Sequence, residues 1–181
     1  EPIFDVVVVG SANLDLVANL DHLPTPGETL IAIGYAEYTG GKGVNQAVAC
    51  ARMGAKTAFV GCVGNDDAGM LLRSVLEGEG IDTSHLRTVS VPTGRAFINL
   101  DSHGENAIVV VAGANAQVGV EDNFFIPHSR VVLAQLEVPL ETIEMAFTQA
   151  KSNGAITVLN PAPARDIPAS LLSLANIVVP N

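Results

Sequence analysis

Residues 3–10, IFDVVVVG, form an almost unbroken run of apolar and β-branched residues that stops at a glycine. Such residues favour extended backbone, and a run without polar alternation is typical of a strand buried on both faces. Strands of that kind belong to parallel sheets covered by helices. The stretch therefore predicts one strand of a parallel sheet in an α/β fold.

The same pattern returns along the chain. Further apolar runs occupy residues 57–60, 131–137, 155–159 and 177–179. Between them, apolar residues recur at helical spacing around residues 44–51, 68–75 and 143–150. Gly54 follows the first helical segment, Asp66 or Asp67 can cap the second, and Pro139 lies at the start of the third. This alternation predicts an open, mostly parallel sheet with helices on both faces.

Two segments interrupt the alternation. Residues 14–38 lack a helical period and carry strand-like pieces around residues 21–27, and residues 95–100 and 107–111 form a predicted hairpin. We expect a small antiparallel sheet from residues of about 13–39 and 94–111. Its natural place is over the carboxyl ends of the parallel strands, where ligands bind in open α/β folds. The segments therefore predict a lid.

Composition excludes several classes of protein. Nine Lys+Arg against nineteen Asp+Glu give a formal charge of -10, which repels phosphate backbones and excludes a general nucleic-acid binder. No apolar run approaches a membrane span, so we expect no membrane partner. The histidines and cysteines lack metal-ligand spacing, and no metal site is expected. We interpret Cys50 and Cys62 as free, buried thiols of a reducing compartment and expect a cytoplasmic protein.

The glycine cluster at residues 40–43 is not a known nucleotide motif. Ala36 stands where a P-loop needs its first glycine, and Gly43 stands where Ser or Thr must reach the metal. Gln46 occupies the third glycine position of a dinucleotide fingerprint, which is therefore also excluded. No G-x-S-x-G elbow of a hydrolase is present.

The polar residues at strand and helix ends favour an oxygen-rich ligand. Gly40 and Gly41 precede a helix. The two glycines either let a ligand approach the free backbone N–H groups at the start of that helix or form a tight turn that leads into it. Asn13 and Asp15 lie two residues apart, so both side chains point to one side of an extended chain. They either contact a ligand or form an Asx turn. Glu137 ends an apolar strand and either faces solvent or accepts hydroxyl hydrogen bonds. A polyhydroxylated ligand such as a sugar suits this set.

Longer motifs carry a resemblance to a known family. The segment Gly40-Gly41-Lys42-Gly43-Val44-Asn45-Gln46-Ala47, continued through residues 54–66, resembles the first signature of the ribokinase-type (phosphofructokinase-B) sugar kinases. The opening residues 10–15, the turn at residues 24–29 and the motifs Gly104-Glu105-Asn106, Gly113-Ala114-Asn115, Gln135-Leu136-Glu137 and Asn160-Pro161-Ala162-Pro163-Ala164 fit the same family in the same order. The Gly-Glu-Asn turn and the Asn-Pro-Ala-Pro-Ala run are typical of the members that act on ribose.

The resemblance implies roles for individual residues and a reaction. Sugar hydroxyls would be held by Asn13, Asp15 and Glu137, the ring would be enclosed by Gly41, Lys42 and Asn45, and Ala96 and Ile98 would supply apolar contact. The implied reaction is transfer of the ATP γ-phosphoryl group to O5 of D-ribose, with Mg2+ and a monovalent cation such as K+ as cofactors. The implied assembly is a homodimer paired through the lid.

The resemblance also implies that residues 1–181 are the N-terminal part of this fold. The second family signature, with the catalytic base, is expected after residue 181, so no catalytic residue is assigned within the chain. Asn181 resembles the first residue of a segment that serves the nucleotide phosphates. Two alternatives stay open. The first is a sibling kinase for fructose, a nucleoside or another sugar, since Arg95 stands where a smaller residue is expected beside the lid. The second is a non-catalytic sugar-binding protein.

Overall fold

The elements alternate between two sheets along the chain. A computed structural model describes residues 3–181. In chain order the elements are β1 (Phe4–Val9), β2 (Asn13–Asn19), β3 (Gly34–Gly40), α1 (Lys42–Arg52), β4 (Thr57–Gly64), α2 (Asp67–Gly78), β5 (Leu86–Val89), β6 (Gly94–Leu100), β7 (Asn106–Val111), a 3-10 turn (Gly113–Gln117), β8 (Ser129–Gln135), α3 (Leu140–Ser152), β9 (Ile156–Asn160), α4 (Ala169–Leu174) and β10 (Ile177–Val178).

The larger sheet has the strand order β10-β9-β8-β1-β4-β5, and every neighbouring pair is parallel. Its strands β1, β4, β8, β9 and β10 fall on the apolar runs of the sequence. On one face Val7 packs in a buried cluster with Phe147 of α3, and on the other Val8 packs with Val44 of α1 and Leu72 of α2. The predicted parallel sheet with helices on both faces is confirmed.

The helix ends follow from local chemistry. Asp66 caps α2, and its side chain accepts a hydrogen bond from the backbone N–H of Gly69 at 2.8 Å. α1 begins directly after Gly41, whose φ of 91° favours glycine, and α3 begins after Pro139. None of these helices, among residues 3–181, is long and apolar enough to cross a membrane.

The smaller sheet, with the order β3-β2-β6-β7, is mixed rather than antiparallel as expected. β2 pairs antiparallel with β3, and β6 pairs antiparallel with β7, but β2 and β6 run parallel. The physical reason is the connection. β2 and its neighbour β6 are not joined by a tight turn, which would make them antiparallel. β3, α1, β4, α2 and β5 lie between them in the chain, and a connection of that length allows the two strands to pair in parallel.

The expected strand character around residues 21–27 is wrong, because residues 20–33 form a loop between β2 and β3. Pro24 and Pro26 have no N–H to donate to a ladder. The Glu28 carboxylate accepts a hydrogen bond from the backbone N–H of Thr25 at 2.9 Å and closes a turn instead.

The two cysteines are free, as expected, but differ in burial. Cys62 lies inside β4, and burial raises the pKa of its thiol to about 11. Cys50 lies on α1 at the border between its buried and exposed faces and is only half-buried, which corrects the expectation that both thiols are buried.

Candidate functional site

A cavity of about 360 Å³ is enclosed by the smaller sheet, the first turn of α1 and the segments that follow β8 and β9. It is lined by Asn13, Asp15, Gly41, Lys42, Asn45, Ala96, Ile98, Ile108, Val110, Glu137 and Pro163. All eight residues that the sequence suggested for sugar contact therefore line one cavity. Pro163, Ile108 and Val110 are additions from the structure.

The floor of the cavity is a close contact between the turn after β1 and the start of α1. The backbone N–H of Val44 donates to the Ser11 carbonyl at 3.0 Å, and that of Gly43 to the Ser11 hydroxyl at 3.3 Å. A Cβ on Gly41 would lie 2.9 Å from the Ser11 carbonyl oxygen and 3.0 Å from the Asn13 nitrogen. Glycine is therefore needed here for close approach as well as for its positive φ.

Glu137 is fixed by three contacts from two residues. Its Oε2 atom accepts a hydrogen bond from the Ser11 hydroxyl at 2.5 Å and one from the backbone N–H of Lys42 at 3.0 Å. Its Oε1 atom lies 3.9 Å from Lys42 Nζ, and its side chain is 14% exposed. The carboxylate is thus held at the positive end of α1, with Oε1 left to accept hydrogen bonds from a ligand.

Asp15 stands on β2 in the same cavity. Burial raises the pKa of its carboxyl group, the negative charge of Glu137 raises it further, and the Lys42 ammonium opposes both effects. A half-buried carboxylate with a raised pKa is short of hydrogen-bond donors, so hydroxyl groups of a ligand would stabilise its ionised form.

The orientation of the Asn13 amide is set by a residue that sequence reasoning gave no role. The Asn115 Nδ2 group donates to Asn13 Oδ1 at 2.7 Å, while Asn115 Oδ1 accepts from the backbone N–H of Ala12 at 2.8 Å. Asn13 Oδ1 is therefore occupied, and its Nδ2 group is the part able to donate to a ligand. The only sequence signal for Asn115 is its place in the Gly113-Ala114-Asn115 motif.

The roof of the cavity is apolar. Ala96 and Ile98 of β6 are paired with Val110 and Ile108 of β7, so all four side chains share one face of the smaller sheet. The sequence suggested only the first two. The register of the predicted hairpin would have identified the second pair, since residues opposite each other on neighbouring strands point to the same face.

Two residues singled out from the sequence lie outside the cavity. Asn181 follows β10, and its Oδ1 atom accepts a hydrogen bond from Asn160 Nδ2 at 3.1 Å. Arg95 is on β6, but its guanidinium lies 3.9 Å from the Asp66 carboxylate rather than among the cavity residues. Its size therefore does not narrow the cavity.

Residues 4–181 match the pfkB family carbohydrate kinase domain. A ribokinase of Haemophilus influenzae is 45% identical over 181 residues, which cover 97% of this chain and 59% of that protein. The solved ribokinase of Thermotoga maritima has a TM-score of 0.86 at 39% identity, with 98% of this chain and 59% of that chain covered.

A ribokinase of Arabidopsis thaliana, solved in complex with ribose and ATP, superimposes with a TM-score of 0.86 at 33% identity. The alignment covers 98% of this chain and 60% of that chain. The chain thus spans about 60% of the length of the relatives it matches. Since the family match extends over nearly all of its residues, the chain belongs to the pfkB family of carbohydrate kinases.

Proposed function

We propose that this chain forms the sugar-binding part of an ATP-dependent kinase that phosphorylates D-ribose at O5, giving ribose 5-phosphate. The observation that carries the proposal is the convergence of Asn13, Asp15, Lys42, Asn45 and Glu137 on one cavity of about 360 Å³. Similarity to proteins named ribokinase, one of them solved with ribose and ATP, supports the choice of substrates.

Each residue has a role that its chemistry supports. Asp15 and Glu137 accept hydrogen bonds from sugar hydroxyls, and Asn13 and Asn45 donate to sugar oxygens through their side-chain amides. Lys42 contributes positive charge 3.9 Å from Glu137. Gly41 gives the ligand access to the backbone. The apolar roof formed by Ala96 and Ile98 packs on the carbon face of the ring and excludes water.

We assign no catalytic base within residues 1–181. A base must contact the hydroxyl that attacks the phosphoryl group. Glu137 is bound by Ser11 and Lys42, and Asp15 is used as a hydroxyl acceptor. Phosphoryl transfer depends mainly on positioning and charge stabilisation, and the base is proposed to come from the family's second signature, after residue 181.

A residue of this chain is proposed to contact the nucleotide, whereas no residue is assigned to either ion. Asn181 is proposed to contact ATP, with its Nδ2 group free to donate because Oδ1 accepts from Asn160. Mg2+ and K+ are implied by the resemblance alone. Among residues 3–181 no three His, Cys, Asp or Glu side chains cluster to hold a metal ion, so neither ion is assigned to residues of this chain.

The assembly proposed is a homodimer in the cytoplasm, paired through the smaller sheet. The face of that sheet opposite the cavity exposes large apolar side chains, with Tyr35 63%, Phe97 47% and Val109 65% exposed. Apolar groups that lie together on one sheet face suit a partner with the same surface. The free thiols agree with a reducing compartment.

The test is titration calorimetry of D-ribose, with D-fructose and adenosine as controls, after circular dichroism has shown that the protein is folded. Saturable binding of ribose alone is expected. Its affinity should fall by at least about tenfold in Asp15→Asn and stay unchanged in the exposed-loop variant Asp21→Asn. ADP release is then measured on the protein as its gene encodes it. Binding of fructose or adenosine instead of ribose would favour a sibling kinase, and ribose binding without ADP release would favour a non-catalytic protein.

A further inference from the structure

Four side-chain amides form a directed chain beside the cavity. Gln135 Nε2 donates to Gln46 Oε1 at 2.6 Å, Gln46 Nε2 donates to Asn160 Oδ1 at 3.1 Å, and Asn160 Nδ2 donates to Asn181 Oδ1 at 3.1 Å. Asn160 Nδ2 also donates to the Val179 carbonyl at 2.9 Å. We call these four residues the amide chain. It crosses the carboxyl end of the larger sheet from β8 through α1 and β9 to the residue after β10.

The amide chain passes through the helical turn that carries sugar-cavity residues. Lys42 and Asn45 line the cavity, and Gln46 is the next residue of α1. One residue along a helix turns the side-chain direction by about 100°, so Gln46 leaves the cavity and reaches Asn160. A displacement of this turn by a ligand acts on both sides of α1 at once.

The direction of the hydrogen bonds also fixes the far end. Because Asn181 Oδ1 accepts from Asn160, the amide of Asn181 is held in the orientation that leaves Nδ2 as its donor. A donor in that position suits a phosphate oxygen, whereas the opposite orientation would present a carbonyl oxygen to an anion. The amide chain therefore determines whether Asn181 attracts or repels phosphate.

One acceptor atom of the amide chain, Gln135 Oε1, is buried without a partner in the part of the chain that the structure describes. Gln135 is 0% exposed, and its Oε1 atom has no hydrogen-bond partner among residues 3–181. A Cβ on Gly10 would overlap this atom and would lie 2.8 Å from the Gly43 Cα atom of α1. A buried acceptor without a partner is unfavourable. Gly43 belongs to the same turn of α1 as Lys42 and Asn45, so ligand contact at those two residues acts on the surroundings of this unpaired acceptor.

We propose that the amide chain couples the sugar cavity to Asn181, so that a bound sugar raises the affinity of this protein for ATP. Gln46 is the positioning residue at its centre, and it touches neither ligand. The inference rests on the proposed function, in which the cavity holds ribose and Asn181 contacts the nucleotide. Since coupling between two sites is reciprocal, ATP must raise the affinity for ribose by the same factor.

The test measures this coupling directly on the protein as its gene encodes it. Calorimetry gives the Kd of a non-hydrolysable ATP analogue with Mg2+, without and with saturating D-ribose. The ratio of the two Kd values is expected to be on the order of tenfold in the wild type. In Gln46→Met, which keeps the length of the side chain and removes both amide bonds, the ratio is expected to fall to within about twofold of one, with ribose affinity alone nearly unchanged.

Gln149→Met is the matched control. Gln149 is also a half-buried helical glutamine with two hydrogen bonds. Its Nε2 group donates to the Phe124 carbonyl at 3.0 Å, and its Oε1 atom accepts from the Ile126 N–H at 3.1 Å. It lies on α3, away from the cavity, so this variant should lose stability and keep the wild-type ratio. If Gln46→Met does not fold, Asn160→Ala cuts the same chain at the next link.

The outcomes separate the two proposals. Ribose that fails to bind the wild type overturns the proposed function and the inference with it. Ribose binding with a ratio of one in the wild type overturns the coupling alone. An unchanged ratio in Gln46→Met, or an equal loss in Gln149→Met, overturns the assignment of the coupling to the amide chain.

Discussion

The Glu137 carboxylate and Lys42, the first residue of α1, contact each other at two points. One carboxylate oxygen accepts the Lys42 backbone N–H at 3.0 Å, and the other lies 3.9 Å from the Lys42 ammonium. A residue that follows β8 thus takes the role of a capping side chain for a helix that starts after Gly41, where no local side chain caps it. Strand end and helix start are held together where the ligand is proposed to bind.

Glu137→Gln tests the charge in this contact. The amide can still accept from the Lys42 N–H, but the negative charge at the helix start is lost. We expect ribose affinity to fall by about tenfold to a hundredfold and the free energy of unfolding to fall by about 1 kcal/mol. Calorimetry and urea titration measure the two effects. Glu141→Gln, in the exposed first turn of α3, should leave ribose affinity unchanged; equal behaviour of the two variants would contradict the assignment.

Asp15 gives a prediction about pH. Burial and the charge of Glu137 raise the pKa of its carboxyl group, with Lys42 opposing them. A pKa raised in the folded state means that the ionised carboxylate works against folding, a penalty that disappears as the pH falls through the raised pKa. Asp15→Asn is therefore expected to melt at or above the wild-type temperature at neutral pH, with the two curves converging in acid.

Ribose binding should show the opposite trend, since the ionised carboxylate is the better hydroxyl acceptor. As the pH falls, the affinity of the wild type is expected to decrease at a higher pH than an ordinary aspartate would require. The affinity of Asp15→Asn should be lower by at least about tenfold and nearly independent of pH in that range. Calorimetry across a pH series measures this, and a variant with wild-type pH dependence would exclude Asp15 as the titrating group.

Much of the larger sheet could be predicted because its signal is local. The apolar run of β1 fills a strand that is buried on both faces, and it needs no knowledge of its neighbours. β5 could not be predicted in this way. Its four residues, Leu86–Val89, are half polar, and they are a strand only because they pair with Gly61–Gly64 at the sheet edge. The mixed order of the smaller sheet likewise depends on a crossover, which no local pattern encodes.

The residues of the candidate site also fall into a group that the sequence could predict and a group that it could not. Asn13, Asp15 and Glu137 could be predicted because they stand at or after strand ends, where ligands bind in open α/β folds. Ser11 and Asn115 could not, because their roles are hydrogen bonds to residues distant in the sequence. Sequence patterns found the groups that face the cavity, and the structure adds those that orient them.

Gly40→Ala tests how closely Asp15 is packed. A Cβ on Gly40, the last residue of β3, would overlap the Asp15 carboxylate on the neighbouring strand. The carboxylate can swing away at small cost in stability, but it then leaves its place in the cavity. We expect a loss of ribose affinity of at least about tenfold with little change in the melting temperature.

Gly34→Ala is the control for this substitution at the other end of the same strand. Its Cβ would lie 3.5 Å from Asn19 Nδ2, an ordinary contact. It should leave ribose affinity unchanged, and a loss of affinity in this variant would point to a general effect of alanine on β3. Full ribose affinity in Gly40→Ala would show that the carboxylate position is not needed for binding.

Asp66 ties the start of α2 to the smaller sheet and should matter for stability more than for binding. Its carboxylate accepts hydrogen bonds from the backbone N–H groups of Gly69 at 2.8 Å and Thr93 at 2.9 Å and from the Thr93 hydroxyl at 2.5 Å. Burial raises its pKa, but these hydrogen bonds and Arg95 outweigh burial, so the pKa is lowered overall. Its stabilisation is therefore present above the unfolded pKa and is lost as the pH falls through the folded one.

Asp66→Ala removes the cap and leaves the buried Thr93 without its acceptor. We expect the free energy of unfolding to fall by about 2 kcal/mol at neutral pH. The difference from the wild type should narrow in acid, below the ordinary pKa of aspartate, because the wild-type carboxyl is then protonated as well. Urea titrations at a series of pH values measure both. Asp67→Ala changes the exposed neighbouring residue; if it lost as much stability as Asp66→Ala, the loss would reflect the charge of the first turn rather than the bonds to Thr93.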